Sequence, residues 1–156
     1  IIANLPYNIA STLIIKLIKY FDIIESMVLM VQKEVADRLS ADVSSSSYSR
    51  LSVLIQLHAT IQKKFDVDAK NFYPIPKVQS SVIQIKPQKK TKFIYQNLDQ
   101  ILKISFQQRR KTIKNNLKIL SIDIGKKILD CGIDPNLRPQ DIKPSDYVKL
   151  SNFLIQ

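Results

Sequence analysis

The chain has 156 residues, 45% of them hydrophobic, one cysteine and a formal net charge of +11. These values fit a globular protein with one sizeable core, or with one core and a small appendage. No apolar run approaches the roughly 20 residues of a membrane-spanning helix, and residues 1–15 lack the basic leader and cleavage site of a signal peptide. The single Cys131 excludes an internal disulfide and fits a reducing compartment, so we expect a cytoplasmic protein.

The positive charge is concentrated in the second part of the chain. Residues 1–88 carry 10 Lys and Arg against 7 Asp and Glu, whereas residues 89–156 carry 14 against 6. A basic half of this kind indicates a polyanionic partner, either nucleic acid or an anionic membrane. We favour nucleic acid, and the alternative is a solvated basic surface that has no partner.

Strand and helix patterns alternate from the beginning of the chain. Residues 1–3 are typical of the end of a buried strand, and residues 8–21 have the apolar spacing of a helix. Residues 27–31 predict a strand buried on both faces, and residues 33–40 predict a second helix. This order is that of a parallel-sheet α/β domain.

The pattern continues with a loop, a third helix and two strands. Residues 42–49 are polar, include four consecutive serines and predict a mobile loop. Residues 50–58 have helical spacing, and the only histidine, His58, lies on the apolar face of this helix. There a structural role is expected, in preference to catalysis or metal binding. Residues 59–67 and 78–86 predict strands.

A basic, proline-containing break at residues 87–92 marks the predicted boundary between two domains, residues 1–88 and residues 89–156. Beyond it every pattern is helical, so the second domain is predicted to be small and all-α. Its predicted helices cover residues 95–107, 110–120, 123–131 and 145–155. The expected caps of these helices are Asp123, Ser145 and Gly132.

The first candidate site is the loop Asn4-Leu5-Pro6-Tyr7, which ends the first predicted strand. Ligands of open α/β sheets bind outside the carboxyl ends of the strands, where this loop is expected to lie. Methylation of the exocyclic amine of a base requires acceptors aimed at its N–H groups, and the Asn4 side-chain oxygen and the Leu5 carbonyl oxygen suit that role. Pro6 stiffens the loop, and Tyr7 offers a flat face for the base.

A second aromatic residue, Phe72, is predicted to lie in a stiff loop between the last two strands of the first domain. Pro74 and Pro76 keep this loop extended and hold Phe72 in a defined place. Tyr7 and Phe72 are therefore predicted to enclose a base that has left its stack. The alternative is a hydrophobic plug on the sheet edge.

The loop Asn4-Leu5-Pro6-Tyr7 resembles the catalytic loop of the adenine-N6 methyltransferases. Three further segments narrow the resemblance to the ribosomal RNA adenine dimethyltransferase family. In chain order they are residues 32–39 (QKEVADRL), 72–80 (FYPIPKVQS) and 108–112 (QRRKT). Four motifs in the family's order are far more specific than the loop alone, and together they extend over nearly the whole chain.

The resemblance implies an S-adenosylmethionine-dependent enzyme that dimethylates N6 of two adjacent adenosines near the 3′ end of small-subunit ribosomal RNA. It implies catalytic roles for Asn4, Leu5, Pro6, Tyr7 and Phe72, and it places Asn4 against the methionine end of the methyl donor as well. The implied partner is small-subunit ribosomal RNA or the pre-small ribosomal subunit. No membrane and no metal ion are expected.

The second candidate site is the basic stretch at the beginning of the second predicted helix of the helical domain. Its basic residues are Arg109, Arg110, Lys111, Lys114 and Lys118. On a helix the three lysines recur at i, i+3 and i+7, with Arg110 at the edge of the stripe, which suits phosphate contacts on structured RNA. A solvated charged face is the alternative, and the family resemblance favours RNA.

A third candidate is Lys33, at the start of the helix that follows the central strand. The resemblance places this helix start near the mouth of the active site, so Lys33 is predicted to touch RNA. In the same helix, Glu34 and Arg38 are expected to form an i,i+4 pair of structural value. Tyr48 and Arg50 match family positions without an assigned role.

Two features that bind S-adenosylmethionine on this fold are not evident: a glycine-rich turn after the first strand and an acidic residue for the ribose. Both glycines, Gly125 and Gly132, fall in the helical part. The predicted fold is therefore α/β, the second half of a Rossmann-like methyltransferase domain followed by a small all-α domain, as in the carboxyl-terminal part of a dimethyltransferase. Two alternatives stay open: a non-catalytic RNA-binding or ribosome-assembly factor, and a large-subunit adenine dimethylase of the macrolide-resistance type.

Overall fold

A computed structural model of the protein describes residues 1–88 and 95–155. These residues form two compact units. The sheet unit comprises Ile1–Ala41 and the described residues from Leu54 through the last strand, and the helical unit comprises Asp42–Val53 and residues 95–155. The predicted break at residues 87–92, including Lys89 and Lys90, lies mostly outside the described residues.

Four strands of the described residues form one mixed sheet in the order β1-β2-β4-β3. They are β1 (Ile2–Asn4), β2 (Met27–Gln32), β3 (Ala59–Val67) and β4 (Ser80–Pro87). β1 is parallel to β2, whereas β4 is antiparallel to both β2 and β3. The parallel arrangement predicted from the sequence therefore holds only for β1 and β2, because β3 and β4 are consecutive strands that pair directly and need no crossover helix.

The centre of the sheet is the pairing of β2 with β4. Met27 lies opposite Ile85 and Leu29 opposite Ile83, and each of these four side chains is 1% exposed or less. The alternate residues of β2 are half-buried, so the prediction that this strand is buried on both faces is wrong. The described residues cover one face of β2 completely and the other face only in part.

β1 is an edge strand, since β2 is its one partner within the described residues. Ile1 and Ile2 are 53% and 87% exposed, so the prediction of a buried strand end is wrong in this structure. The pairing register is nevertheless well defined, because Asn4 lies opposite Met30 of β2. This register places the loop after β1 at the carboxyl end of the parallel pair.

Three helices accompany the sheet in sequence. α1 (Ala10–Leu17) continues into a 3-10 turn at Ile18–Tyr20, which confirms the helix predicted over residues 8–21. α2 (Lys33–Leu39) follows β2 directly and contacts β2, β3 and β4. Its buried residues are Val35, Ala36 and Leu39, spaced as one helical face. α3 (Arg50–Gln56) is slightly shorter than predicted.

The helical unit contains α4 (Tyr95–Ser105), α5 (Ile113–Leu117), α6 (Ile124–Asp130) and α7 (Pro144–Leu154). α4 contacts α5 and α7, and α6 contacts the same two helices. Fully buried apolar residues from all four helices form the core: Leu98, Ile101, Leu102, Ile113, Leu117, Ile128, Tyr147 and Leu150. The predicted helix over residues 110–120 is therefore too long, because α5 has only five residues.

Residues 42–49 are irregular, as predicted, but they are held firmly in the helical unit. The Ser44 N–H donates to the Gln140 carbonyl at 2.8 Å. The hydroxyl of the fully buried Tyr48 donates to the Ile142 carbonyl at 3.0 Å. These bonds explain why residues 42–53 group with the helices, whereas the predicted domains place them with the sheet.

The predicted helix caps have mixed outcomes. The C-cap of α6 is Cys131, so the predicted C-cap Gly132 is off by one residue. Gly132 follows Cys131 with φ of 74°, a conformation that glycine adopts without strain. Asp123 is the N-cap residue of α6. Ser145 is not the N-cap of α7, because Lys143 takes that position and Pro144 is the first helical residue. Proline suits this place, since its missing N–H would have no partner in the helix.

The centre of the sheet yields a test of the fold. Ile83→Ala removes a fully buried side chain of β4 and leaves a cavity, so the free energy of unfolding is expected to fall by about 2–5 kcal/mol. Ile23→Ala is the matched control, because Ile23 is 83% exposed, and its effect should stay within about 0.5 kcal/mol. Urea unfolding followed by circular dichroism measures both. Equal losses in the two variants would contradict the described core.

Candidate functional site

The loop after β1 forms a tight turn whose backbone is fastened to the central strand. The Leu5 N–H donates to the Met30 carbonyl of β2 at 3.1 Å. The Pro6 carbonyl accepts the N–H of Ile9 at 3.2 Å, immediately before α1. The strand pairing on one side and the helix start on the other therefore determine where Asn4, Leu5, Pro6 and Tyr7 lie.

Tyr7 is anchored by a residue that the sequence analysis did not assign. Its hydroxyl shares a hydrogen bond of 2.5 Å with the Ser80 hydroxyl, at the first residue of β4. Ser80 lies within the family segment of residues 72–80 quoted above, and this was the available signal.

Phe72 comes from the connection between β3 and β4. A 3-10 turn at Ala69–Asn71 precedes it, and the Asp68 carboxylate caps this turn by accepting the N–H of Lys70 at 3.0 Å. The Phe72 N–H in turn donates to the Ala69 carbonyl at 3.2 Å. Phe72 is half-buried, whereas the next residue, Tyr73, is fully exposed.

The structure brings all five predicted catalytic residues together around one cavity of about 300 Å³ in the sheet unit. Its lining residues are Asn4, Leu5, Pro6, Tyr7 and Phe72. Ligand pockets in proteins have volumes of roughly 300–1,000 Å³, so this cavity is at the lower end of that range and suits a small ligand. Periodicity could not predict that these residues lie together, since 64 residues or more lie between Phe72 and each of the other four.

Two hydrogen-bonding groups of this cavity are not used by the fold. Within the described part of the chain, neither the Asn4 side-chain amide nor the Leu5 carbonyl oxygen has a hydrogen-bond partner. The neighbouring Pro6 carbonyl is occupied by Ile9. The lining residues therefore include two oxygen acceptors and two aromatic side chains, groups that can accept from an amine and stack on an aromatic ring.

Lys33 belongs to a charged cluster at the edge of the same unit. Its ammonium lies 2.9 Å from Asp66, which also accepts from Lys63 at 2.9 Å and from the Ser81 hydroxyl at 2.6 Å. The hydrogen bond from Ser81, followed by those from Lys33 and Lys63, holds the pKa of Asp66 well below its usual range. Lys33 thus already has a carboxylate partner, and its contact with RNA stays a prediction.

The basic stretch of the helical unit is arranged differently from the predicted stripe. Arg110 and Lys111 precede the N-cap Thr112, and Lys118 is the C-cap of α5, so Lys114 alone lies within the helix. The reason is local: the Lys111 N–H closes a turn onto Gln108 at 2.9 Å, and the Thr112 hydroxyl accepts the N–H of Asn115 at 3.3 Å. The stripe on one helix face is therefore wrong, although the basic residues remain close in sequence.

Arg109 has a structural task that the sequence analysis missed. Its guanidinium donates to the carbonyl of Ser46 at 3.0 Å and to that of Tyr48 at 2.8 Å. It thereby holds residues 42–49, and Arg50 at the start of α3 adds an ion pair with Asp99 of α4.

The other basic residues of the stretch are exposed. They are Arg110, Lys111, Lys114 and Lys118. Among the described residues none of the four forms an ion pair, whereas Lys103, Lys127 and Lys149 of the same unit each pair with an aspartate. The aliphatic part of the Lys114 side chain lies close to Gly125 of α6. A Cβ atom added to Gly125 would lie 3.2 Å from the Cε atom of Lys114. In the part of the chain that the structure describes, no carboxylate neutralises these four exposed cations.

The remaining features of the described residues add no further chemistry. A second cavity of about 440 Å³ lies beside Cys131 and Lys149, and burial raises the pKa of the Cys131 thiol, which keeps it protonated at neutral pH. No group of three or more residues able to hold a metal ion occurs in the described ranges. Nor do these ranges contain a helix long and apolar enough to cross a membrane.

The fold places the chain among known methyltransferases. The structure is similar to a dimethyladenosine transferase from Plasmodium falciparum, with a TM-score of 0.81, 30% sequence identity, and 96% of this chain and 64% of that chain covered. It also shares the fold of the 23S rRNA methyltransferase ErmE, with a TM-score of 0.68, 20% identity, and 99% of this chain and 64% of that chain covered.

The family can be stated more closely. A family model described as ribosomal RNA adenine dimethylase matches residues 1–156, so the chain belongs to the ribosomal RNA adenine dimethylase family. The ribosomal RNA small subunit methyltransferase A of Ehrlichia chaffeensis is 42% identical over 156 residues, which are 99% of this chain and 59% of that protein. The protein of the same name from Anaplasma phagocytophilum is 43% identical over 155 residues, 98% of this chain and 58% of that protein. The chain thus spans a little under three fifths of the length of these relatives.

The adjacent residues Arg109 and Arg110 provide a test of the anchoring of residues 42–49. Arg109→Gln removes the guanidinium that holds Ser46 and Tyr48, so the free energy of unfolding is expected to fall by about 1–2 kcal/mol. Arg110→Gln removes the same charge from an exposed side chain without an ion pair among the described residues, and its effect should stay within about 0.5 kcal/mol. Urea unfolding compares them, and equal effects would exclude the anchoring role of Arg109.

Proposed function

We propose that the chain is the part of a small-subunit ribosomal RNA adenine dimethyltransferase that binds and orients the target adenine. The observation that carries this proposal is the cavity in which two unused oxygen acceptors lie beside Tyr7 and Phe72. Family membership supports the reaction, and the relatives at about 40% identity carry the name of the small-subunit enzyme.

The acceptors would act on the amine that is methylated. The lone pair of the adenine N6 is delocalised into the ring, so the amine is a poor nucleophile. Hydrogen bonds from N6 to the Asn4 oxygen and to the Leu5 carbonyl favour the tetrahedral nitrogen that develops during attack. They therefore stabilise the transition state more than the ground state. The proton can leave after the new N–C bond has formed, so no side chain with a shifted pKa is required.

The aromatic residues would supply the binding of the base. An adenine inside a duplex or a stacked loop is not accessible to a methyl donor, so it has to leave its stack. Stacking on an aromatic side chain offsets part of that cost, by about 1–3 kcal/mol per base. Tyr7 follows β1 and Phe72 lies between β3 and β4, and both line the cavity, so we propose that they hold the flipped adenine.

S-adenosylmethionine would supply the methyl group. The described sheet unit contains no glycine-rich turn for it, since Gly125 and Gly132 both lie in the helical unit. The residues present do not form a complete cofactor site. We therefore propose that this chain corresponds to the carboxyl-terminal part of the enzyme and that Asn4 contacts the methionine end of the cofactor. The rest of the cofactor site would lie in the portion of the relatives that this chain does not match.

The basic residues of the helical unit would dock the RNA. Phosphate contacts provide most of the affinity of such complexes and do not depend on sequence. Arg110, Lys111, Lys114 and Lys118 are suited to these contacts because no carboxylate among the described residues neutralises them. Arg109 contributes through the fold, by holding residues 46–48. The proposed partner is small-subunit ribosomal RNA or the pre-small subunit.

A second candidate function is RNA binding without catalysis. The observation that favours it is the incomplete cofactor site of the described residues. An experiment with a completed enzyme distinguishes the two candidate functions. In this enzyme the chain is joined to the portion of the Ehrlichia chaffeensis relative that it does not match. The completed enzyme is assayed with S-adenosylmethionine and small-subunit RNA. Binding of RNA without any methylation would favour the non-catalytic function.

Asn4 tests the catalytic assignment. In the completed enzyme, Asn4→Ala removes an acceptor that is used in the transition state, and the single-turnover rate of methylation is expected to fall by about 10²–10³-fold. RNA affinity should change little, because phosphates supply most of it. Asn8→Ala is the matched control, since Asn8 is exposed and does not line the cavity. An Asn4→Ala rate within a few-fold of the control would show that Asn4 is not the amine acceptor.

The basic surface is tested by the dependence of RNA affinity on salt. Replacing Arg110, Lys111 and Lys114 by Gln should weaken binding and flatten the plot of log affinity against log salt by roughly 0.7–0.9 units for each lost phosphate contact. The control is the triple Gln variant of Lys103, Lys127 and Lys149, which loses the same charge from residues that are already ion-paired. Equal slopes in the two triple variants would mean that the exposed residues are only a solvated face.

A further inference from the structure

Ser80 and Tyr7 form one hydrogen bond that links the candidate base site to the centre of the sheet. The two residues are 73 positions apart, and their hydroxyl oxygens are 2.5 Å from each other. The Ser80 side chain is fully buried, whereas Tyr7 is half-buried and lines the cavity. The bond therefore joins the far end of the Tyr7 ring to a group that solvent does not reach.

The backbone at Ser80 is held from both sides. In the sheet it lies opposite Gln32 of β2 and opposite Val67 of β3. Tyr7, in contrast, lies in the turn between β1 and α1 and belongs to neither element. A tyrosine side chain rotates about its Cα–Cβ and Cβ–Cγ bonds. Only the first rotation moves the hydroxyl oxygen, because this oxygen lies on the axis of the second, so a hydrogen bond at the hydroxyl restricts the rotation about Cα–Cβ. The rigid partner in this pair is Ser80, and the residue that is held is Tyr7.

We propose that Ser80 is a positioning residue of the methyltransferase site. Its hydroxyl keeps the Tyr7 ring in one rotamer about the Cα–Cβ bond, and the position of this ring determines where the adenine stacks and hence how far the N6 amine lies from Asn4. The inference rests on the proposed function of the loop Asn4-Leu5-Pro6-Tyr7 as the base site. Ser80 itself is not one of the residues that line the cavity, so it would act through Tyr7.

The chain contains a matched control at the next position. Ser81 is also fully buried, and its hydroxyl donates to Asp66 at 2.6 Å, so it supports the charged cluster and not Tyr7. Both variants, Ser80→Ala and Ser81→Ala, remove one buried hydroxyl from the first two residues of β4. A merely structural role for Ser80 would therefore give both variants similar effects on stability and on activity.

The functional arm uses the completed enzyme described above. Small misplacements of reacting groups cost up to about 10²-fold in rate, so Ser80→Ala is expected to lower kcat by about 10–100-fold with little change in RNA affinity. Tyr7→Phe should lower kcat by a similar factor, and the double variant should be no slower than Tyr7→Phe alone, because both changes break the same bond. Ser81→Ala should stay within a few-fold of the parent. Additive losses in the double variant would overturn the proposal.

A second arm keeps the inference separate from the proposed function. In this chain without the added portion, nuclear magnetic resonance with isotope-labelled tyrosine should show nuclear Overhauser contacts between the Tyr7 ring protons and the Ser80 β protons. In Ser80→Ala the Tyr7 signals should shift and average, whereas in Ser81→Ala they should stay as in the parent. If the completed parent enzyme were inactive, the proposed function would fail while this comparison still decided the positioning role. Unchanged Tyr7 signals in Ser80→Ala would overturn it.

Discussion

β2 is hydrogen-bonded to β1 on one side and to β4 on the other, and this double pairing places the residues of the candidate site. The β1 register carries Asn4 opposite Met30, and the Met30 carbonyl then accepts the N–H of Leu5. On the other side, β4 begins with Ser80, which reaches Tyr7. A one-residue slip of either pairing would turn these side chains to the opposite face and dismantle the cavity.

The sheet unit and the helical unit use their charges in different ways. At the sheet edge Asp66 accepts from two lysines and a serine, so the positive charge of these lysines is compensated. The same bonds connect α2, β3 and β4. The basic stretch around α5 has four exposed cations that no described carboxylate neutralises. Exposed, uncompensated cations contribute little to stability and are available to a polyanion. The asymmetry of net charge along the sequence therefore has a structural counterpart.

Arg109 and Arg110 are neighbouring residues of one type with different surroundings. The guanidinium of Arg109 satisfies two backbone carbonyls of an irregular segment, and such carbonyls need partners when they leave regular structure. Arg110 has no ion pair among the described residues and faces solvent. Tyr48 and Tyr147 complete the anchoring of the same unit, since both hydroxyls donate to backbone carbonyls and both rings lie beside Phe106.

By itself the sequence determined the elements and the chemical character of the site. The apolar pattern located β2, α2 and α4, and the motif of residues 4–7 predicted the acceptors and the stacking residue. Only the tertiary structure decided the rest. It turned β4 antiparallel to β2, left Ile2 exposed on an edge strand and gave Arg109 and Ser80 their partners. These outcomes depend on contacts between residues tens of positions apart, and local periodicity carries no information about them.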